Sequence, residues 1–212
     1  RHIIDEFQRV ALTHPEIHFI MYHNESLIFD LPPTKRRQRI VGIFGKKYNE
    51  RLVPVDEETS ITKISGFVLK PEFSKRTRGE QFLFINNRFI RNNSINHAIK
   101  VVFKDLIGND SYPSYFIYLT VPLDSIDVNI HPSKTEIKFE DERAVYELVK
   151  SSVRSSLSRN NIAPSIDFNP ETSFDIPPLK PGESIKIPSI NVDTNYNPFN
   201  KENLSQISGN ID

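Results

Sequence analysis

Between Ile126 and Phe139 the chain carries a pattern that fits only one kind of local structure. Ile126, Val128 and Ile130 alternate with Asp127, Asn129 and His131, and the alternation resumes at Ile137 and Phe139. A period of two belongs to a strand with one apolar and one polar face. Pro132 stops the ladder, because it has no N–H and holds His131 extended. Ser133 and Lys134 follow, where the chain must bend. The stretch therefore predicts two strands joined by a loop that presents Lys134. A lysine rooted in rigid strands suits contact with a phosphate, although a solvated loop lysine satisfies the same pattern. His131 has no second His or Cys at ligand spacing, so a metal site is rejected.

The flanking sequence predicts more strands and several helices. Residues 1–13 read as a helix with Ile3, Phe7, Val10 and Ala11 on one side, ended by His14-Pro15. Residues 17–23 and 26–30 alternate as strands around the turn Asn24-Glu25. Thr34 is a candidate N-cap for a short basic helix over 35–44, closed by Gly45. Residues 52–55 and 61–69 read as strands joined by the acidic turn Asp56-Glu57-Glu58, and 70–80 as a polar loop. Residues 81–85 and 88–91 form a hairpin about Asn86-Asn87, a pair that tolerates positive φ. Asn93 or Ser94 caps a helix with the stripe Ile95, Ala98, Ile99, Val102, Phe103 and Leu106, closed by Gly108. Residues 115–121 form a strand, and 140–157 a last helix with Ala144, Leu148, Val149 and Val153 inward. The order predicts an α+β fold: a mostly antiparallel sheet with helices on one face.

Beyond Arg159 periodicity disappears, and seven of the fifteen prolines fall there among Asn, Ser and Asp. Residues 159–212 read as a flexible linker. Arg1, running straight into a helical pattern, suggests a segment of a longer chain. The absence of cysteine excludes disulfides and thiol catalysis. No apolar run is long enough to span a membrane. There is no Gly-rich phosphate loop, no G-x-S-x-G and no H-E-x-x-H, so the chain alone is not expected to be an enzyme.

Charge is balanced overall but not along the chain. Residues 35–104 hold 16 Lys/Arg and 6 Asp/Glu out of 27 of each. A basic middle of this kind suits phosphates. The candidates for DNA contact are Lys35, Arg36, Arg37 and Arg39 in the short helix, Lys75, Arg76 and Arg78 in the polar loop, and Arg88 and Arg91 in the hairpin. A solvated surface accounts for the same charges, and Arg88 could instead brace its turn.

Two segments carry a resemblance. Asp127-Val128-Asn129-Ile130-His131-Pro132-Ser133-Lys134-Thr135-Glu136-Ile137-Lys138-Phe139 resembles the D-V-N-V-H-P-x-K-x-E-V-x-F signature of the MutL family of DNA mismatch repair proteins. Gln81 to Arg91, followed by Asn96-His97-Ala98-Ile99, is similar to that family's Q-x-x-F-V-N-G-R-x-V-R…N-H-A-I. The motifs stand in family order, and the likeness spans roughly residues 1–157. Asn87 departs from the family's usual Gly, and Asn92-Asn93 stand where some relatives carry a further Arg.

The resemblance implies a fold and a division of labour. Residues 1–16 would connect from an ATPase domain of the GHKL superfamily, which includes gyrase. Residues 17–158 would be the second, transducer domain, of ribosomal-protein-S-five-like fold, followed by the linker 159–212. The family's H-P-x-K lysine reaches the γ-phosphate of ATP, so Lys134 is its expected counterpart, with Asp127, Asn129, His131 and Pro132 as motif support. ATP with Mg is expected in the full-length protein and no cofactor on this chain alone. Expected partners are DNA without sequence preference, the upstream ATPase domain, a MutS-like mismatch-recognition protein and a second copy of the full-length protein, in the bacterial cytoplasm and without a membrane. The alternatives are a transducer domain of another GHKL ATPase, such as a type II topoisomerase subunit, and a purely protein-interaction module.

Overall fold

A computed structural model describes residues 2–59, 62–127 and 135–162. Helix α1 (His2–Thr13) leads into a hairpin of β1 (Phe19–His23) and β2 (Ser26–Leu31). Asn24 and Glu25 both take positive φ at its turn. Helix α2 (Arg36–Phe44) and the single turn α3 (Tyr48–Arg51) follow. The N-cap of α2 is Lys35 rather than Thr34, with no side-chain cap bond. Gly45 closes the helix at φ 101°, a conformation that favours glycine.

The main sheet begins with β3 (Leu52–Glu58) and β4 (Lys63–Leu69). The expected acidic turn is absent: Asp56, Glu57 and Glu58 extend β3 and pair with Ser65, Ile64 and Lys63. Their side chains are exposed at a sheet edge, where charge is tolerated and discourages further pairing. Strands β5 (Gln81–Ile85) and β6 (Arg88–Ile90) form the predicted hairpin, with φ 46° at Asn86 and 65° at Asn87. Helix α4 (Asn93–Phe103) then crosses back to β7 (Tyr115–Thr120). Its cap is Asn92, one residue before the expected pair, whose side chain accepts from the Ile95 N–H at 2.9 Å. The helix ends at Phe103, before Gly108. The short strands β8 (Ile126–Asp127) and β9 (Lys138–Phe139) pair antiparallel, and α5 (Glu142–Arg159) completes the fold behind an Asp141 cap.

The five-stranded order is β3-β4-β7-β5-β6. Every pairing is antiparallel except β5 with β7. That parallel pair needs a long connection, which β6 and α4 supply. The α+β class and mostly antiparallel sheet are as the sequence predicts. Helices α4 and α5 cover one face, where Leu83 and Ile85 of β5 and Ile117 and Leu119 of β7 meet Ile99, Val149 and Val153. The other face is covered as well. There Phe82, Phe84, Phe116 and Tyr118 meet Ala11 and Leu12 of α1 and Ile40 and Ile43 of α2. Phe82 stacks on Phe116 at 5.4 Å and Phe84 on Tyr118 at 4.9 Å. Central strands buried on both faces read as continuous apolar runs, as Phe82–Ile85 and Tyr115–Leu119 do.

The inward face of α5 differs by a fraction of a turn from the expectation. Val149 and Val153 are buried as predicted, but Ala144 is exposed and Val145 takes its place, with Ser152, Ser156 and Leu157 behind it. Ser156 donates to the Pro54 carbonyl at 2.8 Å, tying α5 to the edge strand β3. The expected linker, beyond Ile162, lies outside the described residues.

Candidate nucleic-acid interface

The nine basic candidates divide by what their side chains already hold. Arg39 is 1% exposed. Its guanidinium donates to the Leu31 carbonyl at 2.9 Å, the Pro15 carbonyl at 2.8 Å and the Ile17 carbonyl at 2.5 Å. It joins α2 to both ends of the first hairpin. Burial pushes its pKa down, with Glu16 acting weakly the other way. The expectation that Arg39 offers its charge to a ligand therefore meets a side chain turned into the fold.

Arg36 and Arg37 are half-buried. Arg36 lies over the Tyr118 ring at 4.4 Å and donates to Ser65 Oγ at 2.9 Å. Arg37 donates to Asn49 Oδ1 at 3.0 Å, to the Asn49 carbonyl, and to the Leu52 carbonyl at 3.3 Å. Lys35 is exposed at the start of α2. Lys75 is committed to an internal network. Its ammonium pairs with Glu80 Oε1, and Tyr48 donates to Glu80 Oε2 at 2.6 Å. Burial pulls the Lys75 pKa down, but hydrogen bonds to Glu80 and Tyr48 outweigh it and leave it raised. Burial and Glu80 both push the Tyr48 hydroxyl up. The network braces the loop from which Arg76 and Arg78 project.

Arg76, Arg78, Arg88 and Arg91 are all exposed. None forms an ion pair among the described residues, whereas Lys63, Lys75, Lys150 and Arg159 each hold a carboxylate. Arg78 and Arg91 come together with Arg9 of α1 at a cleft of about 610 Å³. Gln8, Gln81, Asn93 and Asn96 add amides, and Asp5 and Glu80 are its carboxylates. Arg9 sits over the Phe89 ring at 4.0 Å and pairs with Glu6. Sequence reasoning missed Arg9, because a Glu6–Arg9 pair at helical spacing reads as an ordinary solvated face. Guanidinium and amide donors converging from three segments form a surface suited to phosphate oxygens.

Of the motif between Asp127 and Phe139, Asp127 is exposed on β8 opposite Lys138. Asn129, His131, Pro132 and Lys134 lie outside the described residues. The next residue is described: the Thr135 carbonyl accepts from the Arg91 N–H at 2.7 Å. The two motifs, separated in sequence, are thus joined by a backbone hydrogen bond at the rim of the arginine cleft. Among the described residues no group of three or more His, Asp or Glu side chains is arranged to hold a metal ion. No helix among them is long and apolar enough to cross a membrane.

Comparison with known proteins accounts for this architecture. Residues 40–158 match the family described as DNA mismatch repair protein, C-terminal domain. The fold resembles the N-terminal domain of a DNA repair protein, with TM-score 0.64 and 22% identity over 76% of this chain and 54% of that one. It also resembles a MutL ATPase domain from Aquifex aeolicus, with TM-score 0.51 and 22% identity over 71% of this chain and 50% of that one. Among sequence relatives, the DNA mismatch repair protein MutL of Christiangramia forsetii is 54% identical over 99% of this chain. That of Flavobacterium johnsoniae is 50% identical over 97%. The chain belongs to the MutL family of DNA mismatch repair proteins. It spans about a third of the length of these relatives, 34% and 32% respectively.

Proposed function

We propose that this chain is the transducer segment of a MutL-type ATPase, contributing a DNA-binding surface and sensing nucleotide through Lys134. The observation that carries the DNA reading is the cleft where Arg9, Arg78 and Arg91 converge among side-chain amides. Arg78 and Arg91, exposed and without a carboxylate partner among the described residues, would displace counterions condensed on DNA phosphates, and this favours DNA of any sequence. Arg76 and Arg88 flank the cleft in sequence and likewise hold no ion pair among the described residues, whereas Arg39 and Lys75 serve the fold. Lys35, Arg36 and Arg37 are secondary candidates, since two of the three already hold protein partners.

The nucleotide reading is supported by the motif around Lys134 and by the Thr135–Arg91 hydrogen bond, which ties its flank to the DNA-facing hairpin. ATP with Mg would be held by the upstream ATPase domain of the whole protein, with Lys134 adding a positive charge at the γ-phosphate. Hydrolysis removes what that lysine holds, and the loop's attachment to Arg91 gives the change a route to the DNA surface. In the whole protein a second copy and a MutS-like partner complete the proposed assembly.

The decisive experiment is a titration of random-sequence duplex DNA with the chain and its Arg78→Glu/Arg91→Glu variant. Binding that weakens at least tenfold on charge reversal supports the reading. Unchanged affinity refutes the cleft and favours a protein-interaction role. For Lys134, the expected result is that Lys134→Ala in the whole protein lowers ATP turnover with folding intact by circular dichroism.

A further inference from the structure

We propose that the DNA track does not end at the arginine cleft but continues across Tyr112 to the C-terminal end of α4, where Lys100 and the C-cap residue Lys104 take backbone phosphates. This rests on the reading of the cleft as a DNA-binding surface and extends it to residues on another element. The link is Tyr112. The Arg78 guanidinium lies 5.3 Å from its ring centroid and the Lys100 ammonium 5.2 Å from the same centroid. The Tyr112 backbone is held to the arginine loop, since Lys75 N–H donates to the Tyr112 carbonyl at 3.1 Å and Tyr112 N–H to the Lys75 carbonyl at 2.7 Å. Cations from two elements thereby share one aromatic ring.

Helix geometry carries the path onward. Asn96 lines the cleft, Lys100 follows four residues on along α4, and Lys104, the C-cap with helical φ and ψ, continues the same spacing. Ile95, Ala98, Ile99 and Phe103 occupy the buried side. Lys100 and Lys104 border a second hollow of about 390 Å³ with His97, Asn109 and Ser111. No carboxylate lines it, and neither lysine has an ion-pair partner among the described residues. Arg91, Arg78, Lys100 and Lys104 therefore form a connected series of exposed cations along one end of the sheet. Alternatively, a lysine in the last turn of α4 and another at its C-cap offset the helix dipole. That account predicts a change in stability alone, whereas phosphate contacts also change the salt dependence of binding.

The test measures the affinity of the 212-residue chain for a labelled random-sequence duplex between 50 and 200 mM salt. Each phosphate contact contributes a slope of about 0.9 in log K against log salt. Lys100→Ala/Lys104→Ala is expected to flatten the slope by about 2 and shrink the salt-driven loss of affinity by roughly tenfold. Lys63→Ala/Lys150→Ala removes the same charge at two lysines already paired with Glu58 and Glu147 and is expected to leave the slope unchanged. A Lys100/Lys104 variant that matches the unaltered chain, while Arg78→Ala/Arg91→Ala is flatter, overturns the extended track and leaves the cleft intact. Binding by the unaltered chain that ignores salt overturns both.

Discussion

Arg39 offers the sharpest test of whether a basic residue here serves DNA or the fold. Its guanidinium is buried and donates to three backbone carbonyls on two sides of the first hairpin, at Pro15, Ile17 and Leu31. Hydrogen bonds from a charged group contribute about 1.5–3 kcal/mol each, and three sharing one group sum to less than their separate values. Arg39→Met keeps much of the apolar stem but strands the carbonyls, so a loss of about 3 kcal/mol is expected. With a urea slope of about 1–3 kcal/mol per molar, the unfolding midpoint drops by roughly 1–3 M. Arg39→Lys retains the charge, yet one ammonium cannot span the three carbonyls, so a loss of about 2 kcal/mol is expected. Urea unfolding followed by circular dichroism reads both, and DNA titration at low urea reads binding in the folded fraction. A loss under 1 kcal/mol for Arg39→Met, or a fall in DNA affinity in a fully folded variant, would refute the structural assignment and return Arg39 to the DNA surface.

Other expectations concern the sheet and its caps. A Cβ at Gly66, where φ is 138°, would lie 2.0 Å from the Phe116 carbonyl oxygen on the neighbouring strand. Gly66→Ala is therefore expected to cost about 3 kcal/mol or more, read as a lower urea midpoint. Phe84→Ala opens the aromatic stack against Tyr118 and is expected to cost about 3–5 kcal/mol in the same measurement. Asn92→Ala removes the α4 cap and is expected to cost about 1 kcal/mol. Burial raises the pKa of Tyr48, Tyr115 and Tyr118. Their neutral forms favour the folded state, fully so below the ordinary tyrosine pKa near 10, and this contribution is lost as pH rises through the folded values. Alkaline titration by ultraviolet absorbance should show these three ionising only above the ordinary range or together with unfolding.

The hairpin 81–91 was legible because its determinants are local: an apolar run, two asparagines that accept positive φ, and a return strand. The same is true of α4, where Ile95, Ala98, Ile99 and Phe103 are buried as their spacing says. Asp56-Glu57-Glu58 misled because acidic residues usually mark turns, while here the partner strand β4 holds them in an edge strand. The second covered face was not evident, since it depends on α1 and the first hairpin folding back over Phe84 and Tyr118. In the site, Arg78 and Arg91 were legible as basic residues near or within a motif, but Arg9 was not, because it reaches the cleft from a helix some seventy residues earlier.

The sequence by itself determined the α+β class, the likeness to the MutL family and the position of Lys134 in its motif, because each rests on residues close together in the chain. Tertiary structure alone decided which charges remain available. Arg39 and Arg78 are the same residue type in the same basic stretch, yet one is sealed beneath a hairpin and the other stands free over Tyr112. It also decided that β5 runs parallel to β7, and that Thr135 meets Arg91 across more than forty residues. The physical reason is that burial and pairing depend on which segments meet in space, and no local period encodes that.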